Sequence, residues 1–144
     1  FEGEEVSGAD IAAVIGRYRM GALYDLINDI RPGVGNRIMA RLAGILGSGA
    51  ERPLTIVYLL TRHFLSILKI KAGASGSGYF YDRLRKTAST FSTREVIIWL
   101  ENLRYAELTM KSSSYPERLV LESVFLHSMN GTYTREVAPR HRAG

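Results

Sequence analysis

The chain of 144 residues has no cysteine. Disulfides, thiolate catalysis and sulfur-ligated zinc are therefore excluded, and nothing points to an oxidising, secreted compartment. A cytoplasmic location is the expectation. Long apolar runs are also missing: the most apolar stretch, residues 54–60, meets Arg62 and His63 well before the roughly 20 residues that a bilayer-spanning helix needs. Phe1 is not an initiator methionine and no signal-peptide pattern follows it, so the sequence is expected to begin inside a longer natural chain. Nor is there a basic arm. The net charge of +5 is spread, with nine Lys/Arg against seven Asp/Glu in residues 1–72 and ten against seven in residues 73–144. Only the end of the chain, with Arg135, Arg140, His141 and Arg142, is locally basic.

What is present is helical periodicity. A chain of this length suits one domain with a core large enough to need no metal or disulfide. Ser7 and the apolar residues from Ile11 to Ile15 suggest a short first helix. Residues 20–30 predict a second that buries Leu23, Leu26, Ile27 and Ile30, and Pro32-Gly33 ends it. Residues 34–46 predict a third with Ile38, Leu42, Ile45 and Leu46 on one side. The stretch 53–72 is apolar around nearly its whole circumference, with a narrow polar strip through Thr55, Arg62, Ser66 and Lys69. It is the expected central helix, opened by Pro53 and closed by Gly73. A flexible connector over residues 74–78 leads to a shorter helix at 79–89, where Phe80 and Leu84, four apart, are expected to seat in the core. The expected architecture is all-α, a compact bundle of six or seven helices, with no strand pattern and little structure after Asn130-Gly131.

Residues 92–129 carry the most information. Ser92 with Glu95 forms a capping box, in which the hydroxyl accepts from a free backbone N–H and the carboxylate reaches back. Ser114 with Glu117 repeats that spacing and predicts a second box. The first of these helices is expected to bury Val96, Ile97, Leu100, Leu103, Ala106 and Met110; the second, Leu121, Val124, Phe125 and Met129. Between them runs Glu107-Leu-Thr-Met-Lys111, then a serine run, then an aliphatic helix holding Glu122.

That order resembles the C-terminal domain of the delta subunit of the bacterial DNA polymerase III clamp loader. Upstream, Leu59-Leu60-Thr-Arg62-His63-Phe64 behind Glu51-Arg52-Pro53, and residues 20–30, are similar to helices of the same family, so the resemblance spans about residues 17–129. It implies that residues 1–16 are the tail of a preceding ATPase-like domain, 17–129 a helical collar that mediates subunit assembly, and 130–144 a weakly ordered tail. It further implies a non-catalytic role in loading the sliding clamp for DNA replication, with the motor subunits and delta prime as partners and clamp contact left to an N-terminal domain outside this sequence. The chain departs from the family at residues 73–78, where members carry more helical sequence.

Chemistry-bearing arrangements are few. The glycines of residues 73–78 lack the Gly-Lys-Ser/Thr ending of a phosphate loop and follow a helix rather than a strand. His63, His127 and His141 have no metal-ligand partner at helical spacing, Asp25 and Asp29 suit a solvated face better than a magnesium site, and no Gly-x-Ser-x-Gly nucleophile elbow occurs. No catalytic, cofactor or metal residue is assigned. Tyr79-Phe80-Tyr81 followed by Arg83, Arg85 and Lys86 mixes rings with cations as single-strand binders do, so the alternative function is a small basic helical nucleic-acid-binding module. For subunit contact the candidates are Arg62 and Lys69 on one helix and Arg104 and Lys111 on another, each pair seven apart and so on one face.

Overall fold

Turn and cap chemistry divides the chain into helices of unequal roles. A computed structural model describes residues 21–49 and 51–134, and among these it is all-helical with no strand. The helices are α1 (residues 21–28), α2 (Gly35–Gly47), α3 (Pro53–Lys71), α4 (Tyr79–Ser89), α5 (Thr93–Ser112) and α6 (Glu117–Met129). The short first helix expected before residue 16 and the end of the tail, residues 135–144, lie outside the described residues. Two glycines close helices as their places suggest. Gly73 (φ 103°) and Gly131 (φ 73°) take the left-handed conformation and let Ala74 N donate to Lys69 O and Thr132 N to His127 O.

The core forms where α3, α5 and α6 meet. Phe64 of α3 lies parallel to Trp99 of α5 with ring centroids 4.7 Å apart, and Phe125 of α6 meets the other side of Trp99 edge-on at 5.4 Å. Leu23, Leu26, Ile27 and Ile30 close the core from α1, and Ile38, Leu42 and Leu46 from α2. α3 packs against α4, α5 and α6, so the expected central helix is central. Its polar strip is wider than expected. Tyr58 and Leu65 join Arg62 and Lys69 on an exposed stripe opposite Leu60, Phe64 and Ile67. At 19 residues with a mean hydropathy of 1.3, α3 does reach the length and composition of a membrane-spanning helix, contrary to the expectation from its charges.

Four local expectations fail for identifiable reasons. The Ser92–Glu95 capping box forms, with Ser92 Oγ accepting from Glu95 N at 3.0 Å and Ser92 N donating to Glu95 Oε1 at 2.7 Å. The Ser114–Glu117 box does not, because Pro116 holds the residue before it out of helical geometry. Pro116 itself becomes the N-cap, and Glu117 forks with Arg52 instead, at 3.1 and 2.8 Å. In α5 the buried arc is turned from the expected stripe, since this helix is covered by α3 on one flank and α6 on the other. Ile98, Trp99 and Asn102 are buried, whereas Ile97 is exposed and Leu100 only partly covered. Phe80 is 82% exposed and leaves Leu84 alone to pack on the core.

The fourth concerns the two segments expected to be loose. Tyr81 folds back on the connector: its ring lies where a Cβ on Gly76 would approach to 2.7 Å, and its hydroxyl donates to Ala74 O at 3.3 Å. Beyond α6, Thr132 and Thr134 are tied to the buried Asn102. Asn102 Nδ2 donates to Ser128 Oγ and Thr132 O, both at 2.9 Å, and its Oδ1 accepts from Thr134 N at 2.9 Å. The packed unit therefore continues past the expected boundary at residue 129.

Candidate interaction surface

Helical spacing alone puts Arg62 with Lys69 and Arg104 with Lys111, and the packing of α3 on α5 joins the two pairs. Lys111 Nζ, near the end of α5, stands 5.5 Å from the ring centroid of Tyr58, near the start of α3, while Phe64 stacks on Trp99 further along both helices. The helices are thus antiparallel neighbours, and this register sets Arg62 level with Arg104. All four cations are exposed.

They do not stand alone. On α3 the exposed stripe reads Tyr58, Arg62, Leu65, Lys69, and on α5 it reads Ile97, Arg104, Leu108, Lys111, in steps of three, four or seven residues. Leu108 is 54% exposed and Leu65 42%, which is high for leucines in the middle of helices that bury their opposite sides. Sequence reasoning placed Ile97 in the core and missed Tyr58, Leu65 and Leu108. The available signal was the spacing itself, for Tyr58 and Leu65 flank Arg62 at four and three residues. Among the described residues Lys111 alone of the four cations is held in an ion pair, by Glu107 Oε2 at 2.9 Å, and that carboxylate keeps its ammonium above the ordinary lysine range. The pair lies at the surface, with Lys111 exposed and Glu107 partly so, and its worth to stability is small.

A second polar region lies between α1, α3 and α4. His63 Nε2 is buried without a hydrogen-bond partner and faces a cavity of about 250 Å³ whose lining includes Tyr24, Asn28, Arg62, Ser66 and Leu84. Burial, with the nearby Arg31 charge adding to it, pushes its imidazole down to about 4. His63 is a neutral group at the rim of the core, as its isolation in sequence suggests.

Among the described residues no cluster of three His, Cys, Asp or Glu side chains is placed to hold a metal. Asp29 is engaged by Arg41 at 2.7 Å, so the acid pair with Asp25 is broken up by a cation from α2. Neither a protein family nor a curated protein nor a solved structure matches this chain.

Proposed function

We propose that this chain is a non-catalytic assembly domain that docks on a partner subunit through the joined face of α3 and α5. The supporting observation is the alternation of exposed apolar side chains, Tyr58, Leu65, Ile97 and Leu108, with Arg62, Lys69, Arg104 and Lys111. Apolar anchors among arginines are the composition of interface centres, and the planar arginine fork suits carboxylates. The fitting partner is a helical face carrying leucines among Asp and Glu. With the sequence resemblance, the proposal becomes specific: a collar domain of a clamp-loader delta subunit, joining motor subunits and delta prime in the ring that loads the sliding clamp.

Charge reversal of Arg62 and Arg104 together tests it. The doubly substituted chain is expected to lose co-purification with motor subunits and delta prime while its helical circular dichroism and melting temperature stay unchanged. Unaltered assembly removes the face. Failure of the unsubstituted chain, within its full-length protein, to enter such a ring removes the clamp-loader assignment.

A further inference from the structure

The face of α4 that turns towards α1 has a chemistry that assembly through α3 and α5 does not use. Tyr79, Arg83 and Lys86 follow one another at four and three residues, and Phe80, Leu84 and Thr87 form the adjacent stripe. Between this face and the end of α1 is a cavity of about 320 Å³, lined by Phe80, Arg83, Lys86 and Thr87 with Asn28 and Arg31 from across it. Three of these residues are cations and none is an acid. Arg83, Lys86 and Arg31 enter no ion pair among the described residues.

Arg31 is fixed in place. Its Nη1 donates to the carbonyls of Asn28 and Ile30, at 2.6 and 2.8 Å, and its Nη2 to Thr87 Oγ1 at 3.1 Å. These bonds seat the guanidinium at the C-terminal end of α1 and leave its Nε–H and one Nη2 hydrogen for an anion. Arg83 lies 5.7 Å from the centroid of Tyr79, and the Tyr79 and Phe80 rings stand edge to face at 73° with centroids 5.6 Å apart. Rings so inclined cannot both stack on one flat ligand. They offer two platforms, 68% and 82% exposed, beside three positive charges, of which Arg31 is held by hydrogen bonds and Arg83 lies over the Tyr79 ring.

We infer that this α1–α4 face binds single-stranded nucleic acid, with an unstacked base on Phe80 and backbone phosphates on Arg31, Arg83 and Lys86. Two separate aromatic platforms favour a strand with successive bases over a mononucleotide, which needs one. Unpaired bases are required because a duplex hides its base faces in the stack. The inference is independent of the proposed assembly face, which lies on other helices.

Fluorescence anisotropy of the whole 144-residue chain with a labelled oligothymidylate of about 12 nucleotides is the test. Binding is expected at low salt, weakening with a log–log salt slope of about −2, since three cations each release about 0.7 of a counterion from a single strand. Phe80→Ala is expected to weaken binding about 5- to 150-fold with an unchanged slope. Arg83→Ala is expected to reduce the slope by about 0.7. Leu108→Ala, on the proposed assembly face, should leave the oligonucleotide affinity alone. Circular dichroism checks that each variant is folded, which the exposure of both α4 side chains favours. Absence of binding by the unsubstituted chain, insensitivity to Phe80→Ala, or equal displacement by polyglutamate would overturn the inference, the last by showing a surface that selects only for negative charge.

Discussion

α5 and α4 are neighbours of α3 built on opposite terms. α5 begins in a two-way capping box, buries seven residues and contributes Trp99 to the aromatic stack. α4 has no side-chain cap, buries only Thr87 and Ala88, and turns both of its leading aromatics to solvent. Beside Leu84 and Ala88 on the core, α4 is held by polar contacts: Arg31 on Thr87, Lys71 Nζ on Ala88 O at 3.1 Å, and Tyr81 on the connector. Apolar burial supplies most folding free energy, so α5 belongs to the scaffold and α4 is a presented element. A helix that contributes little to the core has side chains free to be chosen for contact.

Substitutions of large rings sharpen this contrast most. Trp99→Ala is expected to cost about 3–5 kcal/mol, by emptying the space between Phe64 and Phe125. Phe80→Ala, removing another large aromatic, is expected to stay within about 0.5 kcal/mol. Urea unfolding of both variants measures the difference; equal losses would make α4 part of the scaffold.

Asn102→Leu asks whether the scaffold depends on this buried amide. Three partners, on Ser128, Thr132 and Thr134, would lose their bond inside the α5–α6 side, and roughly 2–3 kcal/mol should be lost. A neutral outcome would mean that residues 132–134 detach at little cost.

His63 gives a smaller effect than Asn102, and it falls on the α1–α4 side. Its folded value of about 4 lies below the ordinary 6.5, so between these the unfolded chain binds the extra proton. The stabilisation from keeping it neutral is full above 6.5 and is lost as pH falls towards about 4. Between about pH 7 and about pH 5 the loss should be near 2 kcal/mol. His63→Gln should flatten that part of the stability profile. A parallel profile in the variant would show His63 to be hydrated and free to charge.

The helices are legible because most carry an apolar period together with a start or stop signal. Pro53 and Gly73 bracket α3, Ser92 and Glu95 open α5, and Leu121, Val124 and Phe125 mark the buried side of α6. What was not legible depended on neighbours. The turn of α5 that buries Ile98 and frees Ile97 follows from having helices on both flanks, which no single-helix period contains. Phe80 reads as core by spacing, yet only α1's position shows that its ring has an open cavity beside it. For the candidate face, the four cations were named from spacing. Their union depends on the antiparallel register, and the exposure of Leu65 and Leu108 between them depends on which helices cover α3 and α5.

Asn102 has a consequence for direction as well as strength. A carboxamide is chemically different on its two sides, donating from nitrogen and accepting at oxygen. Here nitrogen meets the Thr132 carbonyl and oxygen meets the Thr134 amide. Turned over, the same side chain would set oxygen against oxygen and N–H against N–H. A slip of one residue in the segment after α6 would likewise break this match. The chain leaving α6 is thus seated in a single register, and the amide rejects the others by repulsion.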